Sequence, residues 1–177
     1  MCILPKPITL LPDYVAPDLD IVFVGINPGE YSARVGHYFA RKQNMFWTAL
    51  NQSGLAAERL GPQDDYRLPQ FGLGLTDIVK RATPNASYLT REEFVEGGKL
   101  LRAKLEPLRP RVVCFNGLKG YREGFDRKAG LGPQEARWGE SRLYVVPSTS
   151  PLNARYRREI PEWFRRLKDF STITFSR

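Results

Sequence analysis

At 177 residues the chain is sized for one domain, with enough length to bury a core without disulfide or metal staples. Hydrophobic residues make up 42% and charged residues 26%, an ordinary globular balance that excludes wholesale disorder. The net charge of +8 suits a polyanionic partner as well as it suits a solvated basic surface.

Residues 1–19 read as an irregular lead-in held extended by Pro5, Pro7, Pro12 and Pro17. Residues 21–26 (IVFVGI) form a continuous β-branched and aromatic run, as a strand buried on both faces requires. The run ends in the turn signal Asn27-Pro28-Gly29. Residues 43–54 carry apolar positions 45, 46, 49 and 50, a helical stripe closed by Gly54. Residues 71–79 are Gly-rich and apolar, read as loop with a short strand. Residues 90–106 open with a capping box, Thr90 as cap and Glu93 reaching back, and predict a helix. A second buried strand spans 111–115 and ends at Asn116-Gly117, a short helix follows over 118–125, and a third strand spans 142–146. A basic helix over 159–170 closes the chain, with Ile160, Trp163, Phe164, Leu167 and Phe170 as its apolar positions.

Short apolar strands alternating with helices predict an α/β fold with a mainly parallel sheet in a single domain over 1–177. In such folds the ligand crevice lies beyond the carboxyl ends of the strands. Asn27-Pro28-Gly29, Asn116-Gly117 and Ser148-Thr149-Ser150 are therefore expected on one rim. That amide- and hydroxyl-rich rim suits a neutral polar ring better than a metal.

Several chemistries are excluded early. Two cysteines, Cys2 and Cys114, cannot build a disulfide framework, and Cys114 sits in an apolar run as a buried thiol. His37 is the single histidine, which argues against a structural zinc site and against any mechanism needing two histidines. No phosphate-binding Gly loop and no G-x-S-x-G elbow is present. No apolar run approaches the roughly 18 residues of a membrane span, and the proline-rich start does not read as a secretory leader. The expectation is a monomeric protein of a reducing cytoplasm without membrane contact.

Gly25-Ile26-Asn27-Pro28-Gly29, then Gly36-His37-Tyr38-Phe39, then Asn44-Met45-Phe46-Trp47 resemble the signature of the mismatch-specific uracil/thymine DNA glycosylases. The resemblance continues through Gly74-Leu75-Thr76-Asp77-Ile78-Val79 with Arg81, Glu93-Phe94 with Gly97-Gly98, Pro110 to Gly117, and Val146 to Ser150. It runs in order over roughly 20–170. It implies a three-layer α/β/α fold of the uracil-DNA glycosylase type around a central, mainly parallel sheet. It also implies hydrolysis of the N-glycosidic bond of uracil, with thymine or modified pyrimidines as further bases, everted from G·U- or G·T-mispaired double-stranded DNA. No metal and no cofactor are expected.

By the same resemblance Asn27 positions the attacking water and Phe39 stacks on the everted base. Gly25, Ile26, Tyr38, Asn116 and Ser148 are the expected base pocket. Ser32 either borders the base or caps a turn. The loop Ser148 to Arg155 is expected to enter the minor groove, with Leu152, Asn153 and Arg155 competing as the residue that fills the gap. Arg41, Lys42, Arg155, Arg157 and Arg158 are expected to track phosphates, with Arg165, Arg166 and Lys168 merely solvating the last helix.

Asp77 departs from the pattern, whose slot holds an amide or a basic residue. It is either a helix N-cap or a carboxylate beside Asn27 that takes a proton from the water. The loop after the last strand lacks a histidine to meet the departing base, so backbone and hydroxyl donors are left and modest activation is expected. No lysine is read at a strand end in the crevice, although Lys80 is nearby, which disfavours covalent lyase chemistry. The competing class is a non-catalytic nucleic-acid-binding module in which Asn27 is only a turn residue.

Overall fold

The computed structural model describes residues 10–173, so Cys2, Pro5 and Pro7 of the sequence reading lie outside the described residues. Strand β1 (Ile21–Gly25) is followed by a one-and-a-half-turn helix α1 (Glu30–Val35) and by α2 (Phe46–Ser53). A 3-10 segment, Pro62–Phe71, leads into β2 (Leu73–Asp77). Helix α3 (Arg91–Leu105), β3 (Val112–Asn116) and α4 (Leu118–Gly124) come next. The hairpin β4 (Gly132–Trp138) and β5 (Ser141–Val146) precedes α5 (Ile160–Thr172).

The five strands form one sheet in the order β2-β1-β3-β5-β4. All pairings are parallel except β4 with β5. Alternation along each strand divides the core in two. Ile21, Phe23, Val112, Cys114, Tyr144 and Val146 face α2 and α5 through Phe46, Leu50, Phe164 and Leu167. Val22, Val24, Val113, Phe115, Leu143 and Val145 face α3 and α4 through Phe94, Leu101, Leu105 and Tyr121. Both sheet faces are thus covered, which is the expected three-layer α/β/α arrangement.

The structure revises four expectations. The lead-in is not wholly irregular: Tyr14 exchanges two 2.9 Å hydrogen bonds with Leu75 and so covers the outer edge of β2. Residues 71–79 hold a full five-residue strand, buried throughout. β4 is an additional strand; only its two end residues are buried, which leaves no apolar run to read. Asp77 is the last residue of β2 and not a helix cap; the chain continues as turns, with Ile78 and Val79 N–H donating to Gly25 and Ile26 carbonyls at 2.9 Å.

The parallel topology sets the site. The chain leaves β1 toward β2 on one side, then crosses to β3 on the other. The carboxyl end of β1 is therefore the switch point of the sheet, where an open α/β sheet leaves a crevice.

Candidate active site

A cavity of about 840 Å³ opens beyond the carboxyl ends of β1, β2, β3 and β5. Asn27, Asn116 and Ser148 to Ser150 all line it, so the three turn segments meet on one rim as the strand pattern predicts. Gly25, Ile26, Ser32, Tyr38, Phe39, Arg41, Asp77, Leu152 and Asn153 line it too. Lys42, Arg155, Arg157 and Arg158 are exposed but are not in its wall.

Asn27 sits just after β1 with its amide fixed. Its Nδ2 donates to the Arg81 carbonyl at 2.8 Å and to Thr83 Oγ1 at 2.7 Å. The Thr83 hydroxyl in turn donates to the Asn85 carbonyl at 2.8 Å, so toward Asn27 it can only accept. Both amide protons are committed to these partners. What Asn27 keeps for the cavity is Oδ1, an acceptor. The Arg81 backbone is itself anchored, because its guanidinium forms a fork on Glu93 at 2.7 and 3.0 Å. Glu93 closes the capping box of α3 with Thr90, and Arg81 beside it holds its carboxyl down at about 2.

Asp77 pairs in register with Gly25 at the neighbouring strand end. It is only 4% exposed, and Oδ2 has no hydrogen-bond partner among the described residues. Burial pushes its pKa from the ordinary carboxylate value up to about 7, with the Lys80 charge opposing the rise and Asp13 adding to it. Gly25 makes room for this carboxylate, since a Cβ there would overlap Asp77 Oδ1. The cavity is therefore not the charge-free pocket that its amides and hydroxyls suggest. Lys80 is not in its wall and is not free: Nζ is ion-paired with Asp13 and lies 3.3 Å from the Leu11 carbonyl and from Tyr38 Oη.

Phe39 is half-buried and stacks one face on Phe46, with centroids 4.3 Å apart and planes at 28°. Tyr38 lies deeper, 1% exposed, with its hydroxyl donating to the Pro12 carbonyl at 3.0 Å. Ser32 belongs to α1, and its Oγ accepts from Ala40 N–H at 3.1 Å. It borders the cavity and at the same time braces the turn that carries Phe39.

The loop after β5 is internally braced. Asn116 Nδ2 donates to Thr149 Oγ1 at 2.8 Å and its Oδ1 accepts from Thr149 N–H at 3.0 Å. Asn116 thus locks the loop with one N–H and one lone pair of its amide from its place in the cavity wall. Gly117, at φ +115°, lets β3 end against Ser148. Ser148 Oγ accepts from Ser150 N–H, and Asn153 Nδ2 donates to the Ser148 carbonyl at 3.0 Å. Of the three residues competing to fill a gap in DNA, Asn153 is held in this brace. Leu152 projects at 81% exposure, and the Arg155 guanidinium lies over Tyr156. Arg157 donates to the Gln43 carbonyl at 2.9 Å, tying this loop to the one before α2. Arg165 and Arg166 pair with Glu162, as a solvated helix face would.

Two contributors are not legible in the sequence. Thr83 is a single hydroxyl in a turn-rich stretch with no fixed spacing to Asn27. Lys119 lines the cavity from α4, where only its place after a strand end points to it. Among the described residues no cluster of His, Cys, Asp or Glu is placed to hold a metal, and no helix is long and apolar enough to cross a membrane.

The fold has a solved counterpart. A protein of Methanosarcina acetivorans, described in its solution NMR structure as a candidate uracil DNA glycosylase, superposes with a TM-score of 0.61 at 24% identity. The match covers 91% of this chain and 98% of that one. At that identity it speaks for the fold alone. The family model of the uracil DNA glycosylase superfamily matches residues 12–170, which takes in every cavity element described above. This chain therefore belongs to the uracil DNA glycosylase superfamily.

Proposed function

We propose that the protein is a monofunctional, mismatch-directed uracil DNA glycosylase. It everts uracil, with thymine or modified pyrimidines as further bases, from a G-mispaired duplex and hydrolyses the N-glycosidic bond. The observation that carries this reading is the tethered Asn27 amide, whose nitrogen is committed to Arg81 and Thr83 and whose Oδ1 is left for the cavity beside a buried carboxylate.

A base inside a stacked duplex is out of reach of any side chain, so it must leave the helix at a cost of about a few kcal/mol. Weak G·U and G·T pairs lower that cost, which is the source of the mispair preference. Phe39 offers a flat surface worth roughly 1–3 kcal/mol to the everted ring. Leu152, exposed and apolar at the loop tip, fills the vacated step. Arg41, Lys42, Lys119, Arg155, Arg157 and Arg158 hold the phosphates.

Asn27 Oδ1 then accepts a hydrogen bond from one water and aims its lone pair at C1′ of the deoxyribose. As the bond to the base lengthens, positive charge grows on the sugar and negative charge on the departing pyrimidine. Ionised Asp77 faces the first and takes the proton of the attacking water. Backbone and hydroxyl donors of the Ser148–Asn153 loop face the second. No histidine serves there, which makes for a slow enzyme. Lys80 is paired with Asp13, and Lys119 in the cavity wall is assigned to a phosphate, so the pathway ends at an abasic site without strand cleavage.

Incubation with a labelled duplex carrying one G·U pair, followed by alkali, tests the reading. Strand scission at the uracil only after alkali, with free uracil identified by mass and no borohydride-trapped adduct, is the expected result. Binding without any scission would make the chain a non-catalytic nucleic-acid-binding module.

A further inference from the structure

Asp65 is the most deeply buried acid outside the reaction itself: it is 0% exposed and does not line the cavity. It lies in the 3-10 segment Pro62–Phe71, more than twenty residues from the loop it touches. Its Oδ2 accepts from Tyr38 N–H at 3.0 Å, and its Oδ1 meets His37 Nδ1 at 3.2 Å. On the other side of the same residue, Trp47 Nε1 donates to the Tyr38 carbonyl at 3.1 Å. Two residues on from Tyr38, Ala40 N–H donates to Ser32 Oγ at 3.1 Å. Phe39 sits between these clamped groups with φ at +51°, a left-handed conformation that a bulky side chain leaves unless its surroundings hold it.

We propose that Asp65 is a positioning residue for base recognition: by accepting the Tyr38 N–H it fixes the left-handed turn that presents the Phe39 ring as a stacking platform for the everted pyrimidine. The inference rests on the stacking role of Phe39 in the proposed function. A buried carboxylate is costly unless its lone pairs are used, and here they are used on the turn and nowhere else among the described residues. With the Phe39 ring already seated on Phe46, the platform is ordered before DNA arrives, and binding does not carry the cost of ordering it. Loss of the acceptor orphans Tyr38 N–H and lets Phe39 relax to negative φ, which turns the ring out of the plane needed for stacking.

The test is single-turnover excision from the G·U duplex, with inhibition by free uracil and a thermal melt measured alongside. Four variants are compared with wild type: Phe39→Ala, Asp65→Ala, Asp65→Asn and the double alanine variant. Phe39→Ala and Asp65→Ala are each expected to lose about tenfold to hundredfold, the worth of one stacked base, and to weaken inhibition by uracil. The double variant is expected to match Phe39→Ala, because the two act through one ring, whereas a merely structural Asp65 would multiply the losses. Asp65→Asn keeps an oxygen for Tyr38 N–H and an amide proton for His37 Nδ1, and is expected to recover most of the wild-type rate.

A folded Asp65→Ala that excises like wild type while Phe39→Ala is impaired overturns the role of Asp65 alone. Multiplicative losses in the double variant overturn it as well. Should Asp65→Ala not fold, the asparagine variant decides, and activity as poor as that of Phe39→Ala in folded Asp65→Asn overturns it. Wild-type excision by Phe39→Ala removes the platform itself, and with it both this proposal and that part of the functional reading.

Discussion

In the proposed function the chemistry turns on two side chains whose states are set by their neighbours. Asn27 is made a pure acceptor toward the cavity by committing both amide protons elsewhere. Asp77 has its pKa raised by burial to about 7, and is useful as a base only once ionised. Excision by the wild type should therefore rise with pH and level off above about 7, while Asp77→Asn should stay low and flat across that range. A general base is worth about a hundredfold to ten-thousandfold, so the gap at pH 8 should be of that order. A pH–rate profile under single-turnover conditions measures both. Stability should move the other way. Because the folded-state pKa of Asp77 is raised, its favourable contribution is complete below the unfolded value near 4 and is lost as pH climbs through about 7. Asp77→Asn escapes that loss. Its advantage in thermal midpoint over wild type should grow between pH 4 and pH 7 and then hold steady, worth up to about 4 kcal/mol.

Elements matter here for what they deliver to the strand ends. The stretch after β2 carries no motif, yet Arg81 offers a carbonyl and Thr83 a hydroxyl, and together they orient Asn27. Thr83→Val keeps the shape of the side chain and removes the acceptor. It should cost about tenfold in single-turnover rate, the worth of one hydrogen bond, while leaving duplex affinity unchanged by gel shift. A fall in affinity with an unchanged rate would place Thr83 in DNA binding instead.

The same contrast explains what can be read from the residues alone. β1, β3 and β5 are legible because strands buried on both faces must be continuously apolar. With those strands placed, the switch-point rule brings Asn27, Asn116 and Ser148 to one rim. The capping box of α3 is legible for a similarly local reason. Six-residue α1 and half-exposed β4 leave no periodic trace, and neither does Pro62–Phe71, whose buried anchors are Asp65 and Leu68. Residue type and position place Asn116 on the rim but do not reveal that both ends of its amide also bind Thr149. Thr83 and Asp65 act across turns at sequence distances that no pattern fixes.

For the molecule as a whole, the net charge of +8 and the exposed Arg155, Arg157 and Arg158 beside the projecting Leu152 lay a basic margin along one side of the cavity. Binding to a duplex should weaken steeply with salt. Replacing Arg155 and Arg158 together by glutamine should flatten the slope of log affinity against log salt by about 2, roughly 0.9 for each phosphate no longer neutralised. An unchanged slope would assign these side chains to solvent. In the proposed function the chemistry depends on one water held at the Asn27 amide. Its most direct test is the single-turnover rate of Asn27→Ala on a saturating G·U duplex, with affinity measured separately on the same DNA. A loss of about a hundredfold or more in rate with affinity retained is expected, and excision at the wild-type rate would show that Asn27 holds no reacting water.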